Sequence, residues 1–304
     1  MDVLNGLEAA VRAVAERTSP AVVGVGAGRG SGSGVVVSAG HVVTNAHNVR
    51  GAEVTVTFHD GRTAAAHLAG IDVDGDLAVL DVDTAGTEPV AWRDGAEPIG
   101  QGAVVFAVAN PGGRGTRTTF GTVSAVSRTF RGPRGRRISG GIEHTAPLAR
   151  GSSGGPVVDS QGRLVGLNTH RLGDGFYLAL TADAELRDRL GALEQGESPA
   201  RPRLGLALAP AHVAARLRAA VGLAPRDGLL VRDVEDDGPA ADAGIRAGDL
   251  IVEAAGQPVA DADALFAALA AVDEGASLTL GIVRGTEEHT VAVSFGRVSE
   301  EGSA

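Results

Sequence analysis

Cysteine is absent from the 304 residues, and methionine, tryptophan and tyrosine occur once each. Without cysteine there is no disulfide framework, no thiol nucleophile and no cysteine-based zinc site. The absence fits a reducing cytoplasm and equally an export route that avoids oxidation. Aromatic residues make up 3%, too few for the stacking platforms that bind single-stranded nucleic acid. A net charge of −10 points the same way, so no nucleic-acid partner is expected. No stretch approaches the roughly 18 uninterrupted apolar residues of a membrane span. The start, Met1-Asp2-Val3-Leu4-Asn5-Gly6-Leu7-Glu8, has neither the basic region nor the apolar run of a signal peptide. As it stands the sequence predicts a cytoplasmic chain, and a periplasmic or extracellular one if the N-terminus was trimmed. No His-Glu-x-x-His occurs, and neither metal nor other cofactor is expected.

What the chain has in plenty is glycine, 45 residues of it, and short valine-rich runs. That combination favours strands over a helical bundle. After an amphipathic helix over 5–17, strands are predicted near 21–26, 34–38, 41–44, 53–58, 63–70, 77–82, 103–107, 119–127, 138–145, 155–158, 163–168 and 176–180. Their regular spacing, broken by Gly, Asp and Pro, is that of a sandwich or barrel. A closing helix is read over 184–193. Gln195 to Pro202 is polar and proline-containing, a linker composition. Beyond it the order changes to mixed α+β: strand 204–208, helix 210–219, strand 228–233, short helix 238–243, strand 249–254, helix 261–271 and strands 277–284 and 287–295.

Three motifs carry chemistry. Arg150-Gly151-Ser152-Ser153-Gly154-Gly155-Pro156 puts a serine in a glycine-rich turn. A serine hydroxyl needs a base to take its proton and donors aimed at the oxyanion formed on the substrate. A glycine two residues before the serine lets the amides of Gly151 and Ser153 point the same way. Gly154-Gly155 is read as leaving room for a peptide backbone. Thr44-Asn45-Ala46-His47 follows a strand and supplies the base. Gly75-Asp76-Leu77-Ala78-Val79-Leu80 supplies the carboxylate, because only Asp76, unlike Asp72 and Asp74, directly precedes the apolar strand. The order His47, Asp76, Ser153 is that of the chymotrypsin architecture. Gly-Ser-Ser-Gly-Gly also fits a nucleophile elbow, but an elbow needs a helix next and Pro156-Val157-Val158 reads as a strand. His41 is assigned to a hairpin turn with Gly40, and His59, His67, His144, His170, His212 and His289 to the surface or a pocket wall. Gly24 to Gly34 is not a phosphate loop, since a strand follows where a helix should. The run Arg128 to Arg137, with five arginines, reads as a solvated loop.

These motifs, with Gly30-Ser31-Gly32-Ser33-Gly34, Asn110-Pro111-Gly112-Gly113, Gly121-Thr122-Val123-Ser124 and Val165-Gly166-Leu167-Asn168-Thr169, resemble the HtrA family of PDZ-bearing, trypsin-like serine proteases. Gly238-Pro239-Ala240-Ala241-Asp242-Ala243-Gly244-Ile245-Arg246-Ala247-Gly248-Asp249 resembles their PDZ domains. Departures are Ser152 where the family has Asn, and Thr145-Ala146-Pro147-Leu148-Ala149-Arg150 in the activation loop. The resemblance implies a mostly β fold, a chymotrypsin-like double β-barrel over 1–194, followed after a linker (195–202) by a small α+β PDZ domain (203–298) and a tail (299–304). It implies an ATP-independent endopeptidase of protein quality control and the stress response. Its partners would be unfolded or misfolded proteins, C-terminal peptides at the PDZ domain, and its own copies in a trimer. Leu167, Asn168, Thr169 and His170 are expected to line the substrate pocket. Leu204, Gly205 and Leu206, with Leu265 and Leu269 one turn apart, are expected to form the PDZ peptide groove. In the family the loop equivalent to the arginine run senses regulatory ligands, which makes an acidic regulator the second reading of that run. The rivals are an esterase using the same triad and a catalytically silent scaffold or chaperone acting through PDZ binding.

Overall fold

A computed structural model describes residues 3–26, 31–95, 97–132, 137–198, 202–224, 226–272 and 275–295. The chain divides into two compact units, residues 1–199 and 200–304.

The first unit opens with helix α1 (Val3–Thr18), whose Val14 is fully buried in the core. Six strands then close into a barrel: β1 (Val22–Val25), β2 (Gly32–Ser38), β3 (His41–Thr44), β4 (Glu53–Thr57), β5 (Thr63–Asp72) and β6 (Leu77–Asp81). Their order round the barrel is β1-β2-β3-β6-β5-β4. The period of two is plain in β4, where Val54 and Val56 are buried and Glu53 and Thr55 exposed. With aromatics scarce, the interior is filled by β-branched side chains such as Val22, Val35, Val42, Val56 and Val79, all fully buried.

The second sheet comprises β7 (Ala91–Trp92), β8 (Val104–Ala109), β9 (Arg117–Arg131), β10 (Arg137–His144), β11 (Pro156–Val158), β12 (Arg163–Gly173) and β13 (Phe176–Thr181). It runs β11-β8-β9-β10-β13-β12-β7, and β11 also pairs with β12, which brings the sheet round on itself as a second barrel. The arginine run is not wholly a loop: Arg128 and Arg131 belong to β9 and Arg137 to β10, with Arg131 opposite Arg137 and Phe130 opposite Ile138. Its side chains are mostly solvated, so no apolar alternation marks the strand. Arg134 and Arg136 lie outside the described residues, as do Gly28 and Gly30. His41, expected in a turn, lies in β3 and contacts Ser38 and Asp81.

Helix α2 (Ala184–Glu194) starts where Asp183 Oδ1 accepts the Leu186 amide at 2.9 Å. It buries Leu186, Leu190 and Leu193, spaced to share one face. A Cβ on Gly70 would strike the Leu193 backbone, so glycine at that position of β5 lets the helix sit down on the barrel. Of the expected linker, Ser198 belongs to this unit, its Oγ accepting the Ile71 amide at 2.9 Å, while residues 199–201 lie outside the described residues.

The second unit runs β14 (Leu206–Ala209), α3 (Ala211–Ala220), β15 (Leu229–Val234), α4 (Pro239–Asp242), β16 (Leu250–Ala254), β17 (Gln257–Pro258), α5 (Ala262–Ala270), β18 (Ser277–Arg284) and β19 (Glu287–Ser294). Its sheet order is β14-β15-β16-β18-β19, which leaves β14 at an edge. Buried Asp249 ties the unit together, taking both Arg284 Nε and Nη2 at 2.8 Å and the Arg246 amide at 2.9 Å. Residues 296–304, the expected tail among them, lie outside the described residues.

Candidate active site

His47 sits on a single 310 turn (Ala46–Asn48) that ends the run of β3, so its ring is partly exposed. Asp76 is fully buried and adopts φ +55°, a left-handed conformation that Asp tolerates better than most residues. That turn sets the carboxylate under His47 just before β6 begins. Asp76 Oδ1 accepts the His47 amide at 3.2 Å and faces Nδ1 at 2.9 Å. Oδ2 faces the same Nδ1 at 3.0 Å and accepts from Thr169 Oγ1 at 2.7 Å. Asn45 Nδ2 donates to the Asp76 carbonyl at 2.9 Å. With an acceptor-only carboxylate at Nδ1, the ring carries its proton there and leaves Nε2 as a base.

Asp72 has a different task. It accepts the Gly75 amide at 2.9 Å and pairs with Arg189 of α2 at 2.6 Å, which braces the loop that carries Asp76.

Ser153 lies in a turn shaped by Gly151 (φ +85°) and Gly154 (φ +86°). Buried Ser33 of β2 holds this turn from below: its Oγ donates to the Gly151 carbonyl at 2.8 Å and accepts the Asn110 amide at 3.0 Å. The Ser153 carbonyl accepts from the Ser33 amide at 2.8 Å and from Asn48 Nδ2 at 2.9 Å. With the carbonyls of Gly151 and Ser153 held inward, three amides of the turn also find partners: Ser152 on Ala149 O, Gly154 on Asn168 O and Gly155 on Ser152 O. The amides of Gly151 and Ser153 have no acceptor among the described residues, the arrangement that an oxyanion would complete. The Ser153 hydroxyl donates to the Thr169 carbonyl at 3.1 Å.

The two glycines after Ser153 serve the interior, not space for substrate as the sequence reading had it. A Cβ on Gly154 would strike Ser33 O and Thr44 Oγ1, and one on Gly155 would strike Val108 O. Ser33, Asn45, Asn48 and Thr169 are positioning residues that sequence reasoning did not single out for this purpose. For Ser33 the only signal was its place inside Gly30-Ser31-Gly32-Ser33-Gly34, and for Asn48 its place directly after Thr44-Asn45-Ala46-His47.

Beside Ser153 opens a pocket of about 280 Å³ whose lining includes Leu148, Arg150, Asn168, His170, Arg171 and Tyr177. Asn168, Thr169 and His170 are among the residues that line it. Leu167 is not among them: it is fully buried in the hydrophobic core. Asn168 forms a neutral floor, its Nδ2 donating to Gly155 O at 2.9 Å and its Oδ1 facing His144 Nε2 at 3.0 Å. His144 is fully buried behind it, not at the surface, and stacks on Tyr177 with ring centroids 5.7 Å apart. Burial lowers the His144 pKa to about 4, against a smaller upward pull from the Asn168 hydrogen bond. His144 Nδ1 has no partner among the described residues, so the neutral ring with its proton on Nε2 suits the site.

In the second unit Gly205 takes φ +73°. Leu204 and Gly205 give their carbonyls to the amides of Ala240 and Glu235, and Leu206 opens the edge strand β14 half-buried. Leu204 itself is buried in the unit's core. Leu265 and Leu269, expected on the groove wall, are 1% and 4% exposed and belong to that core as well. One turn apart, they share the face of α5 that packs into the core. Ala262 and Phe266 of α5 and Leu206 and Leu208 of β14 are among the half-buried apolar residues packed against this core.

Residues 32–167 match the trypsin-like peptidase domain family and residues 202–295 the PDZ domain family. The chain is 34% identical over 268 residues to a probable periplasmic serine endoprotease DegP-like of Halomonas elongata, covering 86% of this chain and 55% of that protein. It is 30% identical over 270 residues to the serine endoprotease DegS of Escherichia coli K12, covering 84% of this chain and 73% of that one. The chain thus spans about half the length of the first curated relatives it matches. Among solved structures, a serine endoprotease from Yersinia pestis matches with TM-score 0.61 at 27% identity, covering 94% of this chain and 97% of that one. The HtrA-type protease AlgW with decapeptide matches with TM-score 0.63 at 25% identity, covering 94% and 98%.

Proposed function

This chain belongs to the HtrA-type family of trypsin-like, PDZ-bearing serine proteases, and from that premise we propose that it is an ATP-independent endopeptidase acting through an acyl-enzyme on Ser153. The observation that carries the reading is the Asp76–His47 pair set against a serine turn with two unengaged amides. Ser153 Oγ attacks the scissile carbonyl carbon while its proton passes to His47 Nε2. Asp76 holds the imidazolium that results. The oxyanion takes the Gly151 and Ser153 amides. Collapse of the tetrahedral adduct breaks the C–N bond, and His47 returns the proton to the leaving amine. Water, deprotonated by His47, then hydrolyses the ester and restores Ser153.

Peptides in extended conformation are the substrate class. On one side β12 pairs with β11 only as far as Leu167 opposite Pro156, while on the other it pairs with β13 out to Gly173. From His170 on, β12 therefore offers an open edge beside Ser153, where an extended segment can add as a strand. A folded substrate cannot present one, which favours unfolded or misfolded protein and disfavours simple esters. In the second unit, edge strand β14 and the Gly205 turn support capture of a C-terminal or exposed hydrophobic segment. Trimer formation and, by analogy with the periplasmic relatives, an exported location in place of the cytoplasm belong to this proposal.

The test is proteolysis of one target protein in its folded and its permanently unfolded form, with wild type and Ser153→Ala, followed by mass spectrometry of the enzyme. Cleavage of the unfolded form by wild type alone, with a trapped acyl adduct on the Ser153 peptide, is expected. Equal turnover by Ser153→Ala would overturn the assignment.

A further inference from the structure

We propose that the pocket beside Ser153 selects substrate segments that carry an acidic side chain next to the bond that is cut. This rests on the endopeptidase reading and adds its substrate class. Arg150 precedes the oxyanion turn, and His170 and Arg171 lie on the open edge of β12; all three line the pocket and are exposed. No aspartate or glutamate is in the lining. Among the described residues none of the three has an ion-pair partner, and Arg171 stands 5.7 Å over the Tyr177 ring. In the same barrel other arginines are neutralised: Arg128 by Glu143 at 3.3 Å and Arg163 by Asp159 at 2.8 Å. The carboxylate of the catalytic cluster, Asp76, is fully buried and turned to His47 and Thr169.

The pocket is therefore a cationic rim on a neutral interior. Leu148, Tyr177 and the Asn168 amide, already engaged with Gly155 and His144, accept an uncharged side chain. The rim reads what flanks it. The chain carries a net charge of −10, whereas among the described residues two guanidinium groups and an imidazole, with no carboxylate beside them, line the mouth of this pocket. An aspartate or glutamate on an extended segment along β12 meets the guanidinium groups of Arg150 and Arg171 and the His170 ring, whereas a lysine there meets only like charge. Rim charges of this kind act through partly solvated contacts, so the preference is sensitive to salt.

The experiment uses internally quenched peptides with blocked ends and one shared apolar core, differing only in Glu, Gln or Lys beside the cleaved bond. Blocked ends remove the free C-terminal carboxylate as a second source of negative charge. The full chain is expected to cleave Glu over Lys by about tenfold in kcat/KM at low salt, with Gln between, and the ratio should fall toward one at high salt. The double variant R150Q/R171Q should bring the Glu-to-Lys ratio to about one. The ratio is internal to each enzyme, so a general loss of activity does not mimic it. A wild-type ratio at or below one, or a ratio unaltered in the double variant, overturns acidic selection and leaves the endopeptidase reading standing. Failure to cleave any of the peptides or an unfolded protein overturns both.

Discussion

Thr169→Val is the substitution through which the geometry of the site can be read most cleanly. Valine keeps the shape and β-branching of a side chain that is 7% exposed on β12. It removes one hydroxyl that donates to Asp76 Oδ2 at 2.7 Å. Among the described residues the carboxylate then keeps His47, through the amide at 3.2 Å and the ring at 2.9 and 3.0 Å. A hydrogen bond to a charged group contributes about 1.5–3 kcal/mol. If that bond serves to fix the carboxylate against the imidazole, its loss falls on the transition state, where His47 is cationic. At 1.36 kcal/mol per decade this is roughly tenfold to a hundredfold in rate. The assay is the second-order rate of fluorophosphonate labelling of Ser153 across pH, with urea denaturation of the same variant as the control. A labelling rate lowered by that factor at every pH, in a variant that urea shows to be folded, is expected. A variant that labels within twofold of wild type would refute the claim that Thr169 positions Asp76.

His144 gives a pH signature. Its folded pKa of about 4 lies below the ordinary histidine value, so the unfolded chain takes up this proton first and stability falls as pH drops from about 6.5 to 4, by about 3 kcal/mol in all. Burial works to raise Asp159 and Asp249, but the amide and arginine donors outweigh it and both sit below the usual carboxylate range. Their contributions are lost only below about pH 4, which separates the two windows. His144→Gln, which can still donate to Asn168, should flatten urea midpoints between pH 6.5 and 4.5; an unchanged slope would contradict the assignment. Arg189→Met leaves Asp72, 3% exposed, with an unpaired buried charge. A loss of about 3 kcal/mol and slower Ser153 labelling are expected, and a fully stable, fully reactive variant would show the brace to be idle. Gly154→Ala forces a side chain into Ser33 O and Thr44 Oγ1 at a positive φ; labelling should collapse even where circular dichroism reports intact strands.

Strands were legible wherever a valine-rich run is closed by Gly, Asp or Pro, as with Val42-Val43 before the His47 turn and Leu77–Leu80 after Asp76. There the pattern and the punctuation agree. β9 and β10 extend past their expected ends because Arg128, Arg131 and Arg137 give no apolar alternation, and pairing across the hairpin is a long-range fact. β7 and β17, two residues each, carry too little pattern to see. The approach of His47 to Asp76 follows from local motifs, since His47 lies just after β3 and Asp76 just before β6, and these two strands pair. The support from Ser33, Asn48 and Thr169 joins residues as far apart as 118 positions, and no local signal announces it. Leu167, Leu265 and Leu269 show the limit from the other side. Periodicity places a residue on a face but does not say whether that face meets solvent, ligand or core.

The central claim is that Ser153 is a nucleophile activated by the His47–Asp76 pair. A fluorophosphonate probe offered to wild type, Ser153→Ala and His47→Ala, with and without a hydrophobic C-terminal peptide, tests it directly. Labelling of wild type at a single residue, Ser153, is expected, with none in Ser153→Ala, a large loss in His47→Ala, and faster labelling when the peptide occupies the second unit. Absence of labelling in folded wild type under every condition would contradict it and leave a scaffold that acts by peptide binding alone.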